Sequence, residues 1–196
     1  MYERKDRLYR RAKAEGLRSR AGFKLDDIDR GLIRPGARVV DLGCWPGSWL
    51  QVAARRVGEG GRVVGVDLRE VAPIPLPQVR VVRGDIADDR VIDEIAASLG
   101  GAADAVLSDL APSLSGVRER DEARSSELVR RALAITERLL RPGGSFVCKV
   151  FMNSDFADLR EAIRRRFDEV SVTRSEATRK GSAELYAIAR RFKGAS

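Results

Sequence analysis

Two apolar runs in this 196-residue chain end on a charge. Ala105-Val106-Leu107-Ser108 runs into Asp109, and Ser145-Phe146-Val147-Cys148 runs into Lys149 before Val150. A buried strand has no structural need of either group at its end. Open α/β sheets bind ligands just beyond the carboxyl ends of their strands, so an acid and a base there are candidate reacting groups. The chain contains no histidine. Carboxylates and lysines are therefore the natural groups to hold and move a proton.

A second constellation is a glycine turn. Val39-Val40-Asp41-Leu42-Gly43-Cys44-Trp45-Pro46-Gly47-Ser48-Trp49 reads as a strand, a tight loop and the start of a helix. Glycines at 43 and 47 let backbone approach a ligand, and the helix N-terminus behind them offers unpaired N–H donors. The spacing of a dinucleotide-binding loop is absent, and so is the Gly-Lys-[Ser/Thr] of a P-loop. Asp67 closes the run Val63-Val64-Gly65-Val66, and Asp85 follows Val79–Val82 in Arg83-Gly84-Asp85-Ile86. An aspartate after a strand also serves as a turn former or helix cap.

The elements that must position these groups alternate. Strand-like runs are Arg38–Leu42, Arg62–Val66, Val79–Val82, Ala103–Ser108, Ser145–Val150, Glu169–Thr173 and Ala183–Ala189. Helical runs are Ser48–Val57, Asp88–Leu99, Ser125–Leu140 and Asp155–Phe167, and Ala21, Phe23, Leu25, Ile28 and Leu32 give a further one before Pro35-Gly36. Strands separated by helices predict a doubly wound, Rossmann-like α/β domain with a seven-stranded, mostly parallel sheet. The last two strands are joined only by the polar, basic Arg174–Ser182, so the final strand is expected to run antiparallel. The Pro-rich Val71–Pro77 reads as a rigid connection.

Lysine and arginine number 37 against 29 aspartates and glutamates, a net charge of +8. Residues 1–20 hold eight bases (Arg4, Lys5, Arg7, Arg10, Arg11, Lys13, Arg18, Arg20) against three acids, and further clusters stand at Arg164-Arg165-Arg166, Arg179-Lys180 and Arg190-Arg191. Such a balance favours polyanions, nucleic acid first. Residues 1–18 lack a sustained apolar pattern and are expected to form a basic arm or a frayed helix that orders on a partner, with 19–196 as one domain. No apolar run approaches the roughly 20 residues of a bilayer span, and the N-terminus carries charge in place of an apolar signal core. A cytoplasmic location follows as the expectation. Two distant cysteines and no histidine give no zinc site, and no metal is expected.

Taken singly, the charged residues have plain explanations. Lys24 can be a solvated charge on the first helix, Glu184 an outward residue of the last strand, and Asp109 the cap of a turn before Pro112. Lys149, set between Val147-Cys148 and Val150-Phe151, is the hardest to explain in that way.

The Asp-x-Gly-x-x-x-Gly turn from Asp41 to Gly47 resembles the first motif of S-adenosylmethionine-dependent methyltransferases. By that resemblance Gly43, Gly47 and Trp49 belong to the cofactor loop, Asp67 accepts the ribose hydroxyls of an adenosine, and Asp85 accepts from the adenine amine. Four further stretches are more specific: Ser19-Arg20-Ala21-Gly22-Phe23-Lys24-Leu25, Ser108-Asp109-Leu110-Ala111-Pro112 with Ser115-Gly116, Lys149-Val150-Phe151, and Ser182-Ala183-Glu184-Leu185-Tyr186. In this order they resemble the FtsJ/RrmJ-type (RlmE) ribose 2′-O-methyltransferases, over nearly the whole chain. The resemblance implies a catalytic tetrad of Lys24, Asp109, Lys149 and Glu184, with Asp109 also beside the reacting methyl group of the cofactor. Cys44, Trp45 and Ser48 stand where that family has small residues and a second glycine, and Ser113 where it commonly has Asn.

The implied chemistry suits these groups. A ribose hydroxyl is a poor nucleophile, so oxygen, methyl carbon and sulfur must be aligned and the proton removed during attack. A lysine base, ordinarily with a pKa of about 10.4, must be shifted down by burial and nearby positive charge. Lys149 is the candidate base, Asp109 its orienting group, and Lys24 and Glu184 the groups that place the ribose. The resemblance implies S-adenosylmethionine as cofactor, and as substrate a uridine of 23S ribosomal RNA in the assembled 50S particle, with the protein acting as a monomer. Relatives that modify tRNA share the tetrad, and a non-catalytic RNA-binding assembly factor on the same scaffold is the alternative of another class.

Overall fold

A computed structural model describes residues 2–29, 31–113, 115–178 and 181–194, with side chains from Leu8 onward. The strands are β1 (Arg38–Leu42), β2 (Arg62–Asp67), β3 (Val79–Arg83), β4 (Ala103–Ser108), β5 (Leu140–Phe151), β6 (Phe167–Thr173) and β7 (Glu184–Phe192). The helices are α1 (Tyr2–Ala14), α2 (Ala21–Asp29), α3 (Ser48–Val57), α4 (Asp89–Leu99), α5 (Arg118–Leu139) and α6 (Phe156–Arg166). Among the described residues the strands form one sheet in the order β3-β2-β1-β4-β5-β7-β6, parallel except for β7, which is antiparallel to both β5 and β6. The α/β, Rossmann-like architecture and the reversed last strand are those the sequence predicts.

Strand order reverses between β1 and β4. The chain winds outward from β1 through β2 to β3, then returns to β4 and winds the other way. Helices after β1 and β4 must therefore leave on opposite faces, which opens a crevice at the carboxyl ends of these two strands. Leu25 and Ile28 of α2 and Leu50 and Val57 of α3 bury one face of the sheet; Ile95 of α4, Leu133 of α5 and Ile163 of α6 bury the other. Each fully buried side chain of this size contributes about 1.5–3 kcal/mol.

Local signals fix several ends. The Asp88 side chain accepts the Arg90 N–H at the start of α4, and Gly100 ends that helix in the left-handed region. α5 begins seven residues before the expected Ser125. Residues 118–124 are charged and carry no apolar stripe, yet Asp121 accepts the backbone N–H groups of Ser115 and Gly116, and Arg118 pairs with Glu122 one turn on. Bonds from Asp121 to the loop before the helix and an i,i+4 pair thus favour the extra turns where periodicity is silent.

The N-terminal stretch is helical in α1, and residues 8–18 are packed on the domain, not free of it. Ala12 and Leu17 are buried. The Arg18 backbone donates to Gln51 Oε1, and its guanidinium donates to the carbonyls of Pro46, Ala72 and Pro73 at 3.0, 2.6 and 2.6 Å. One arginine thereby ties the glycine loop to the Pro-rich connection. The side chains of Arg4, Lys5 and Arg7, and both Arg179 and Lys180, lie outside the described residues.

Candidate active site

Strand parity brings the chemistry to one face. Asp41 pairs with Gly65 and Leu107, Leu107 with Val147, and Lys149 with Tyr186. Because side chains alternate along a strand, Asp41, Lys149, Tyr186 and Glu184 share the face covered by α2 and α3. Asp67 and Asp109 stand two residues beyond Gly65 and Leu107, at the carboxyl ends. Lys24 descends onto the same face from α2.

The four residues expected as a tetrad meet there as two coupled pairs. Lys24 Nζ donates to Glu184 Oε1 at 2.6 Å. Lys149 Nζ donates to the Asp109 backbone carbonyl at 2.7 Å and lies 3.2 Å from Asp109 Oδ1. Lys149 is only 7% exposed, while Asp109 and Glu184 are half-buried. Pairing and hydrogen bonding are what make buried charge tolerable.

Tyr186 joins the two pairs. Its side chain is fully buried, and its hydroxyl donates to Asp109 Oδ1 at 2.8 Å with Glu184 Oε1 at 3.3 Å. Burial and the two carboxylates push the phenol well above its usual range, so it remains a donor. Burial alone would raise the Glu184 carboxyl; the Lys24 hydrogen bond and charge, the Lys149 charge and the Thr178 hydroxyl outweigh it and hold that carboxyl below its usual range. Thr178 is brought there by the 174–182 connection, which docks on α2 through Ser175 Oγ and Asp27 Oδ2 at 2.5 Å. Neither Tyr186 nor Thr178 was assigned a role from the sequence. Tyr186 stands two residues after Glu184, and strand alternation was the signal that could have found it.

Beside the tetrad lies a cavity of about 340 Å³. Gly43, Asp67, Asp85 and Asp109 line it, with Ile86 and Leu110 as apolar wall. Gly43 has φ +80°, and a Cβ there would meet the Leu110 side chain at 2.9 Å, so the loop needs glycine at this point. Asp67 accepts the backbone N–H groups of Trp45 and Arg69 at 3.0 and 2.9 Å, one on each oxygen. Each oxygen keeps a free lone pair, matching two vicinal hydroxyls. Asp85 accepts the Ala87 N–H at 2.8 Å while facing the cavity. Acceptors, apolar walls and a close backbone approach fit an adenosine-containing cofactor.

The other two residues expected in the cofactor loop sit elsewhere. Gly47, at φ +108°, is the N-cap of α3 against Arg18 and Ile74. Trp49 is buried, donates its indole N–H to the Ala21 carbonyl at 2.8 Å and lies 5.9 Å from the Tyr186 ring. Both support the loop and the tetrad from behind and do not line the cavity.

Asp41 is the least expected acid. It is fully buried, and neither carboxyl oxygen has a hydrogen-bond partner among the described residues. Burial first, then the charges of Asp109 and Asp67, raise its carboxyl well above the usual range. The Cys44 thiol, buried against the Gly65 position, is raised by burial first and then by the charges of Asp41 and Asp67, and burial pushes Cys148 up to about 12. Both are therefore packing thiols, not nucleophiles. Among the described residues, no group of three or more His, Cys, Asp or Glu side chains is placed to hold a metal ion. No described helix is long and apolar enough to cross a membrane.

Residues 17–192 match the family of FtsJ-like methyltransferases. A ribosomal RNA large subunit methyltransferase E from Methanothrix thermoacetophila is 49% identical over 192 residues, covering 97% of this chain and 74% of its own length. The protein of that name from Sorangium cellulosum is 45% identical over 196 residues, covering 99% and 91%. Among solved structures, a Plasmodium falciparum protein described as a ribosomal RNA methyltransferase superposes with a TM-score of 0.76 at 27% identity, covering 91% of this chain and 100% of that one. The MycE methyltransferase, solved with Mg and SAH, shares the fold at a TM-score of 0.59 and 18% identity, covering 88% of this chain and 47% of its own. The chain belongs to the FtsJ-like methyltransferase family, and its methyl donor is S-adenosylmethionine.

Proposed function

We propose that the protein methylates a ribose 2′-hydroxyl of large-subunit ribosomal RNA, a uridine of the 23S chain in the assembled 50S particle, and acts as a cytoplasmic monomer. One observation carries the reading of the chemistry. A nearly buried lysine amine lies at a strand end, held by Asp109, beside a cavity suited to adenosine and within one hydrogen-bonded network with the Lys24–Glu184 pair. The relatives' names support large-subunit ribosomal RNA as the substrate.

When bound, S-adenosylmethionine supplies a methyl carbon activated by a positive sulfur. The protein's own work is alignment and proton removal. Lys149 would accept the hydroxyl proton as the ribose oxygen takes the methyl group from the bound cofactor. Asp109 fixes Lys149 through both its carbonyl and its carboxylate. Glu184 and Lys24 offer an acceptor and a donor to the ribose, and Tyr186 holds the two carboxylates in register. General-base assistance of this kind is worth about 10²–10⁴-fold in rate.

The test is direct. The protein is incubated with a labelled methyl donor and either free ribosomal RNA or whole large subunits, and methylated riboses are mapped. Label on one ribose of the large-subunit RNA is expected, with the subunit the better substrate. Label on tRNA alone would move the substrate. Cofactor binding without transfer to any RNA would make the protein a binding factor on a methyltransferase scaffold.

A further inference from the structure

Trp45 stands out among the large apolar side chains. It is 48% exposed, while Trp49, four residues on, is buried. Leaving an indole half in water forgoes burial that a fold normally gains, so its place needs a reason beyond packing. One face is already occupied: the Arg69 guanidinium lies over the ring at 4.7 Å. Both side chains line the 340 Å³ cavity.

Asp67 explains why the pair stands there. Its Oδ2 takes the Trp45 N–H and its Oδ1 the Arg69 N–H, so the loops after β1 and β2 are pinned to one carboxylate. The acid placed to receive the ribose hydroxyls thus also sets the position of the stacked indole and guanidinium. The geometry makes the two functions inseparable.

We propose that the stacked Trp45 and Arg69 side chains form a wall of the cofactor cavity against the ribosyl portion of S-adenosylmethionine, and that Trp45 is a cofactor-binding residue. The proposal rests on the reading of this cavity as the cofactor site. The indole offers a flat apolar surface beside the Asp67 acceptors. Arg69, stacked on the ring, keeps it from turning outward.

The experiment uses S-adenosylhomocysteine, which occupies the site without reacting, and reads calorimetry and tryptophan emission on the native protein, Trp45→Phe and Trp45→Ala. The native emission is expected to change with ligand and saturate at the calorimetric Kd; Trp45→Phe should abolish that change. Trp45→Ala should weaken binding about tenfold and Trp45→Phe no more than about threefold, as loss and partial retention of contact area require. The KM for S-adenosylmethionine should rise in Trp45→Ala with kcat kept, and the ligand-free melting temperature should hold, which a merely structural role would not give. Unchanged affinity in Trp45→Ala, or emission that answers to RNA alone, would overturn the proposal. A native protein that binds no S-adenosylhomocysteine by calorimetry would instead reject the cofactor site itself.

Discussion

The Tyr186 hydroxyl lies 2.8 Å from Asp109 Oδ1, across 77 positions of sequence, and makes one network of two ion pairs. Tyr186 is antiparallel partner to Lys149 on the adjoining strand. Its ring lies 5.9 Å from the Lys24 amine, and its hydroxyl holds the carboxylate that pairs with Lys149. The single hydroxyl proton is shared in a three-centre hydrogen bond, with Asp109 Oδ1 the nearer partner at 2.8 Å and Glu184 Oε1 the farther at 3.3 Å.

Removing that proton tests the link. Tyr186→Phe keeps the buried ring against Trp49 but leaves Asp109 Oδ1 short of a donor. Methyl transfer should fall about tenfold with cofactor affinity unchanged, and stability by about 1 kcal/mol, the net value of a hydrogen bond. Single-turnover rates and urea denaturation read both.

Glu184 carries a signed pH dependence. Its folded-state pKa is lowered, so the stability it contributes is full above the ordinary glutamate value of about 4.3 and is lost as pH falls through the folded value. Glu184→Gln should therefore melt lower than the native protein at pH 7, and the gap should close on acidification. Thermal melts between pH 7 and pH 3 check this.

Asp41 has the opposite sign. Its folded-state pKa is raised, so the protonated form is the one that suits the fold, and stability is lost as pH rises from the unfolded value of about 3.9 through the folded one. Asp41→Asn keeps the shape without the charge. It should melt higher than the native protein at pH 8, with the difference shrinking towards pH 4.

Much of this arrangement was legible in the sequence. Alternating apolar runs gave the order of strands and helices, and the basic connection before β7 gave its reversed direction. Asp109 and Lys149 could be picked out because a charge ending an apolar run violates the pattern around it. Lys24 and Glu184 lack that signal: each is an ordinary surface residue until the fold brings α2 over β7, and only motif resemblance pointed to them. Tyr186 reads as core: alternation places it on the face of Glu184, but the carboxylate of Asp109 that its hydroxyl meets comes from another strand. Motif resemblance alone places Trp49 in the cofactor loop, and the sequence does not disclose that its indole is buried against Tyr186 and bonded to Ala21. Arg18 reads as one more base of a charged arm, because its three acceptors lie 28 to 55 residues away.

Arg18→Ala tests that clamp. It removes the donor to the carbonyls of Pro46, Ala72 and Pro73, and should cost about 1–3 kcal/mol. Denaturant unfolding should show the loss, and hydrogen exchange should rise at Leu17 and Leu76, whose amides donate to the Ala12 and Ile74 carbonyls.

The central claim is that Lys149 takes the ribose proton, and the Lys149→Ala variant tests it most directly. Its single-turnover methyl transfer to the large subunit should be measured beside its affinity for S-adenosylhomocysteine. The account expects transfer to fall by about 10²-fold or more, with cofactor affinity within about twofold of native, since Lys149 does not line the cofactor cavity. Transfer at the native rate would contradict it.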